Sequence, residues 1–278
     1  MAPSCNCLFH LVANNAEDKL PLTVAIIAHN AGRRIGPCLA SVGFADEILV
    51  VDSGSSDDTA EIAMRHGARL ETKEWLGFGR QKQHAVSIAR NDWVLCLDTD
   101  ERVSEALAAA IRDSFSGERY KAYRIARRNR FLGRWLAHGE GYPDWTLRMF
   151  HRTSASWSND EVHETVLTTA EVGRLAGDLM HDSAEDVATY VTKQNRYTTL
   201  HAEALFNQGV RAASWRLIAS PLARFVKFYF FRLGFLDGGP GFAHIVIGCH
   251  STFLKYLKLI ELERGARDAK HTVERPAP

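Results

Sequence analysis

The chain has 278 residues, of which 46% are apolar: long for one compact domain, short for two large ones, and able to build a substantial core. A net charge of +1 excludes a molecule built as a whole to bind a polyanion such as nucleic acid, so local charge asymmetry carries the information.

Residues 1–20 are expected to form a weakly ordered tail, and they lack the basic start and long apolar stretch of a secretory signal. Leu22-Thr-Val-Ala-Ile-Ile-Ala28 is apolar and rich in β-branched residues, the pattern of a strand buried on both faces of a parallel sheet. Ile35, Leu39 and Val42 then recur at helical spacing. A second strand, 47–51, runs into Asp52. The stretch Asp52-Ser-Gly-Ser-Ser-Asp-Asp-Thr59 is a turn feeding a helix, with Ser55 and Asp58 at the spacing of a capping box and Gly67 suited to the helix end. A third strand is expected at about 68–72, a helix at about 81–89 and a fourth strand at 93–97. That strand ends at Asp98-Thr-Asp-Glu101, after which Ser104 caps a helix over 105–115. Strands alternating with helices predict an open parallel sheet, whose ligands bind beyond the carboxyl ends of its strands. His29-Asn30, Asp52 and Asp98/Asp100 all fall at such ends.

The second half reads differently. Residues 119–134 hold seven Arg or Lys and no acid, interleaved with Tyr120, Tyr123 and Phe131; an anion-binding surface and a solvated face both fit. A further strand is expected at 145–150, and the pattern turns helical from about 185. Residues 211–234 hold five Arg or Lys, no acid and many aromatics. That composition suits the anionic inner surface of a membrane, with Arg216, Arg224, Phe225, Lys227, Phe228 and Arg232 as contacts; a helix packed on the preceding domain is the alternative. Gly234-Phe-Leu-Asp-Gly-Gly-Pro-Gly-Phe242 lacks the lysine of a phosphate loop and reads as a break between helices. No run of about 18 apolar residues marks a spanning helix. The five cysteines are an odd number, and Cys5 and Cys7 have no second pair to complete a zinc site. Cys38 and Cys96 sit in apolar patterns as buried thiols, which favours a reducing compartment.

Asp98-Thr-Asp100 places two carboxylates at the end of a buried strand, where they can share a hard cation, Mg²⁺ or Mn²⁺, that also takes phosphate oxygens. A solvated turn is the bland alternative. Asp52 can bond a nucleobase at the sheet edge or simply cap a helix. Arg148, in an alternating strand pattern, suits bidentate phosphate binding, to a diphosphate or to a phosphorylated acceptor.

The order VAIIAHN, EILVVDSGSSDDT, WLGFGRQKQHA and DWVLCLDTDE resembles family 2 glycosyltransferases of the GT-A fold. RNRFLGRWLAHGEGYPDWTLRMFHR, NDEVHE, FYFFRLGFLDGGPGF and KYLKLIE resemble the lipopolysaccharide core β-1,4-glucosyltransferase subgroup. The resemblance spans about residues 20–262. It implies an α/β GT-A domain over 21–185, with a mostly parallel sheet flanked by helices, and a helical, membrane-associating region over 186–278. It implies UDP-glucose as donor, a lipid-linked core saccharide as acceptor and a place on the cytoplasmic face of the membrane. By position, Asp52 would bind uracil, Asp98 the ribose or the metal, and Asp100 the metal. His29 and Asn30 would line the nucleotide pocket, with Lys82 near phosphate or base. Two departures stand out: Ala31 where an acid is usual, and Gln81-Lys82-Gln83 where the third residue is usually Asn.

Inverting transfer needs a base on the acceptor hydroxyl. Within Asn159-Asp-Glu-Val-His-Glu164 the first candidate is Glu164, with Asp144 second; His163 is a metal or phosphate contact. Surface charge on a loop is the alternative for Glu161 and Glu164. Three rival functions remain at this point: transfer to a polyprenyl phosphate or a peptide side chain, a nucleotidyltransferase, and a non-catalytic binding protein at a membrane.

Overall fold

The computed structural model describes residues 19–117, 119–159, 164–182 and 186–273, with side chains to residue 267. The elements run β1 (Leu20–Ala28), α1 (Gly32–Ala40), β2 (Ala45–Asp52), α2 (Thr59–Arg65), β3 (Arg69–Thr72), α3 (Phe78–Ser87), β4 (Trp93–Asp98), β5 (Glu101–Val103) and α4 (Glu105–Ser114). There follow β6 (Ala122–Phe131), β7 (Arg134–Trp135), β8 (Asp144–His151), β9 (Ala155–Trp157), β10 (Val166–Thr168), β11 (Val172–His181), α5 (Val187–Asn207), α6 (Arg216–Phe225) and α7 (Gly238–Val273). A π-helical turn, Val226–Phe231, and a 3-10 turn, Gly234–Asp237, join α6 to α7.

One sheet has the order β3-β2-β1-β4-β8-β6-β11-β5, with β7 paired to β6. β1 to β4 are parallel, β8 runs against both neighbours, and β6 and β11 are again parallel. The apolar run of β1 is buried on both faces because helices cover both sides. Ile35, Leu39, Leu107 and Ile111 pack on one face with Val24 and Ile26. Ala85 and Val86 pack on the other with Ala25, Val94 and Trp157. Cys38 and Cys96 are free, buried thiols, as expected.

Several boundaries differ from the sequence reading. α2 starts at Thr59 and gains nothing from a capping box: Asp57 accepts from the Thr59 amide, while Ser55 turns back to Asp52. α3 starts three residues early, after Gly77 at φ +93°. The glycine-rich stretch is only partly a break, because Gly238-Gly-Pro-Gly forms the first turn of α7. Proline is tolerated there, where the amides lack intrahelical partners. The tail expected over 1–20, with Cys5 and Cys7, lies outside the described residues up to residue 18, and Leu20 already belongs to β1.

Gly177 shapes the far side of the sheet. At φ +87° it lets β11 bulge between Arg174 and Asp178, and a Cβ there would fall 2.3 Å from the Leu107 amide. The bulge pairs Asp178 with the N-cap Ser104 and sets the end of β11 beside β5, placing His181 opposite Glu101.

Candidate active site

Three strand ends converge as the sequence pattern requires. β1 delivers His29 and Asn30, both exposed. Asn30 takes φ +48°, accepts from the Ser56 amide at 2.9 Å and donates its own amide to Ser55 Oγ at 2.8 Å. The loops after β1 and β2 are thus sewn together, with the Gly32 amide donating to Asp57 at 3.0 Å and the Ala31 amide to Thr59 at 2.7 Å. Asp57 and Thr59 bind this backbone in a chain whose position 31 carries no acid. Asp52 is buried and accepts from the Gly54 and Ser55 amides at 3.1 and 2.9 Å and from the Ser55 hydroxyl. Most of its acceptor capacity holds the turn.

Helix α3 anchors three consecutive side chains, Gln81, Lys82 and Gln83. Gln81 donates to Ser53 Oγ at 3.1 Å and Gln83 accepts from the Trp157 amide at 2.8 Å. A longer amide at position 83 therefore ties α3 to β9. Lys82 lies between them, buried, with its ammonium 3.0 Å from Asp98 and 2.9 Å from Glu164, and 4.8 Å from the Trp157 ring centroid.

From Asp98 a chain of alternating charge continues. Arg148 Nη2 donates at 2.7 Å both to Asp98 and to Glu101, which is fully buried and also accepts from the Asp98 amide at 2.9 Å. Arg127 lies 3.6 Å from Glu101 and donates to Asp144 at 2.9 and 2.6 Å. The cluster therefore brings Lys82, Asp98, Arg148, Glu164 and Asp144 together. Glu101 and Arg127 complete it; neither was singled out in the sequence, although Glu101 directly follows the Asp-Thr-Asp motif. Burial opposes charge on Asp98, but Arg148 and Lys82 outweigh it and hold its carboxyl well below the usual range. Burial likewise pulls against the Lys82 ammonium; Asp98 and Glu164 overcome it and raise its pKa. Arg148 keeps one buried donor, Nε, with no partner among the described residues.

Asp100 stands apart from this chain. Burial raises its pKa, but His181 more than offsets this and lowers it; His181 Nε2 lies 3.6 Å away, beyond hydrogen-bond reach. The other ring nitrogen, Nδ1, lies 2.6 Å from the Asn129 amide oxygen, a contact that holds the ring with Nε2 towards Asp100. Asp98 is already matched by two cations, so of the two aspartates Asp100 has the capacity for a metal. No group of three or more metal-ligating side chains forms among the described residues. One carboxylate with diphosphate oxygens and water still fits Mg²⁺ or Mn²⁺. His163, with Glu161, lies outside the described residues.

A model of glycosyl transferase family 2 matches residues 23–167, more than half of the chain. The chain belongs to this family. This family 2 glycosyltransferase is 32% identical over 260 residues to an uncharacterized glycosyltransferase of Rickettsia typhi, with 89% of each chain covered. It is 28% identical over 264 residues to the lipopolysaccharide core biosynthesis glycosyltransferase LpsC of Rhizobium meliloti, covering 92% of this chain and 97% of the relative. Among solved structures it is similar to S. aureus TarS 1-349 in complex with UDP-GlcNAc, at 14% identity and a TM-score of 0.46, covering 89% and 92%. The sheet and its flanking helices are the α/β GT-A fold, followed by a helical C-terminal segment.

The six residues expected at a membrane divide. Lys227 and Arg232 are exposed. Arg216 lies over the Tyr256 ring, and Phe225 and Phe228 are half-buried. Arg224, half-buried, pairs with Glu140 and donates to Thr252 of α7 at 2.9 Å. Among the described residues no helix is long and apolar enough to cross a membrane.

Proposed function

We propose that this glycosyltransferase moves glucose from UDP-glucose, with inversion, onto a sugar of a lipid-linked core saccharide at an anionic membrane surface. The observation that carries the reading is the ion cluster at the end of β4. It holds a pre-placed ammonium and guanidinium on Asp98, two residues before Asp100, with the carboxylate Glu164 on the same ammonium. The core saccharide is supported by the extent of the likeness to LpsC.

In this mechanism the sewn loops after β1 and β2, with His29, Asn30 and Asp52, flank the uridine. Incoming diphosphate oxygens compete with Asp98 and Glu164 for Lys82, and the spare donor of Arg148 adds to this anion-attracting corner. Asp100 would hold the divalent cation, with His181 beside it; when bound, the cation neutralises charge on the departing diphosphate. Glu164 takes the proton from the acceptor hydroxyl as its oxygen bonds to the anomeric carbon and the bond from that carbon to the diphosphate breaks. Asp144 is the second candidate for this proton. Drawing Lys82 towards phosphate frees Glu164 for that role.

Calorimetry with UDP-, GDP- and CMP-sugars, with Mn²⁺ or with chelator, tests the reading. UDP-glucose should bind best, with Mn²⁺ dependence that is lost in folded Asp100→Ala. Equal binding of the folded variant under both conditions removes the metal role, and preference for a GDP- or CMP-sugar removes the donor.

A further inference from the structure

The two turns between α6 and α7 combine an outward and an inward feature. Outward, Phe230, Phe231, Leu233, Phe235 and Leu236 are exposed within seven residues, Phe231 to 80%. Two of them, Phe230 and Phe235, join an aromatic cluster: the Tyr229 ring lies 5.1 Å from Phe230, 6.0 Å from Phe235 and 5.9 Å from Phe242. Contiguous apolar exposure of this kind marks a contact surface, unlike single scattered residues. No acid occurs from residue 211 to 236, and the exposed Lys227 and Arg232 flank the cluster. Apolar tips flanked by two exposed cations in an acid-free stretch complement an anionic lipid surface, where aromatic side chains enter the interface and basic ones meet headgroups.

Inward, the same turns grip residues 136–142. Asp237, the first acid after the basic stretch, is buried and accepts from the Ala137 amide at 3.0 Å and the His138 amide at 2.8 Å. The Gly139 amide donates to the Arg232 carbonyl at 2.8 Å, and Arg232 Nη2 donates to the Tyr142 carbonyl at 3.2 Å. A Cβ on Gly139, which has φ +66°, would fall 3.1 Å from the Gly234 Cα, so the two backbones touch without side chains between them. Two residues beyond Tyr142 stands Asp144, held by Arg127.

We propose that residues 226–237 are a bilayer-docking turn, and that Asp237 is the positioning residue coupling it to residues 136–142, so that seating on anionic lipid steadies the chain leading to Asp144. This rests on the membrane-bound acceptor proposed above. Donor binding, proposed at Lys82 and Asp100 rather than at Asp144, is independent of it.

The test uses the full chain with vesicles of phosphatidylglycerol and phosphatidylethanolamine, and phosphatidylcholine vesicles as the neutral arm. Co-sedimentation reports binding, and hydrogen exchange reports the amides of 137–139. Anionic vesicles should bind the wild type and slow these amides roughly fivefold or more, the scale of an ordinary coupling between sites. Asp237→Asn, with its folding checked by thermal melting, should still bind vesicles but lose the slowing. Phe230→Ser with Phe231→Ser should lose both. If the wild type binds and the amides do not change, the coupling is overturned while docking stands. If the double serine variant binds like the wild type, or the wild type binds neither kind of vesicle, the docking surface falls, and the membrane reading with it. If the wild type is a dimer without lipid and the serine variant a monomer, the surface is a contact between copies, which also overturns the proposal.

Discussion

At the end of β4 charges are buried and matched: Lys82, Arg148 and Arg127 each lie within 4 Å of two carboxylates. Beyond α6 the situation is reversed, with large apolar side chains in solvent and cations around them. Both arrangements cost stability. Burying ions sacrifices hydration that attraction only partly returns, and exposing aromatics forgoes burial. In the function proposed above, the first serves where charge develops in the reaction and the second where another surface completes it. The buried cluster should therefore be sensitive to single substitutions in stability and in catalysis, whereas the exposed turn should be sensitive only in binding.

The largest effect is expected at Glu164. Glu164→Gln keeps the shape and a hydrogen bond to Lys82 but removes the proton acceptor, and transfer should fall roughly 10²–10⁴-fold with UDP-glucose affinity nearly unchanged. A wild-type rate in this variant with a dead Asp144→Asn moves the role to Asp144. Wild-type rates in both favour a phosphate acceptor, which needs no protein base.

Next comes Arg148→Leu, which leaves the buried Glu101 with only Arg127 at 3.6 Å and the half-buried Asp98 with only Lys82 at 3.0 Å. Urea denaturation should show a loss of about 3–5 kcal/mol; a loss below about 1 kcal/mol would mean the cluster is not the buried unit its geometry indicates. The sign of its pH dependence follows from Asp98, whose carboxyl is lowered well below 3.8. The stabilisation it confers is complete above the unfolded value and disappears only as pH falls through the lowered one, so it should persist at about pH 5.

Asp52→Ala should weaken UDP binding by about 1–3 kcal/mol, by loosening the turn it holds and removing its proposed base contact; unchanged affinity in calorimetry places the base elsewhere. Phe231→Ser, on the exposed side of the comparison, should alter stability by no more than about 0.5 kcal/mol, and a larger loss would make that ring part of the core. The smallest change concerns Cys38 and Cys96. Burial pushes both thiols up, Cys96 to about 11, so alkylation at pH 8 followed by peptide mapping should leave both unmodified until the chain is denatured.

The parallel half of the sheet and its polar edge were legible from local patterns. The runs 22–28, 47–51 and 93–97 are strands, and His29, Asp52 and Asp98 stand at their ends. Less legible were β6, within a stretch, 119–134, whose seven cations and no acid left two readings open, and β11, where a glycine bulge obscures any period of two. The helix starts at 59 and 78 were misplaced because Ser55 turns back to Asp52 instead of capping, and because Gly77 at φ +93° lets the chain enter α3 early.

The sequence by itself determined the α/β order, the carboxylates at the sheet edge, the buried thiols and a basic aromatic segment near the end. Each is written in short-range periodicity or in a motif of adjacent residues. Only the tertiary structure decided how those residues are spent. It gave Asp98 to Lys82 and Arg148, left Asp100 facing His181, and joined Glu164 and Asp144 to one ion cluster through Glu101 and Arg127. It also paired Arg224 with Glu140 and bolted Asp237 to the loop before Asp144. These pairings link residues 16 to 100 positions apart, and a buried charge takes whichever opposite charge the packing brings within about 4 Å, a proximity that no local pattern encodes.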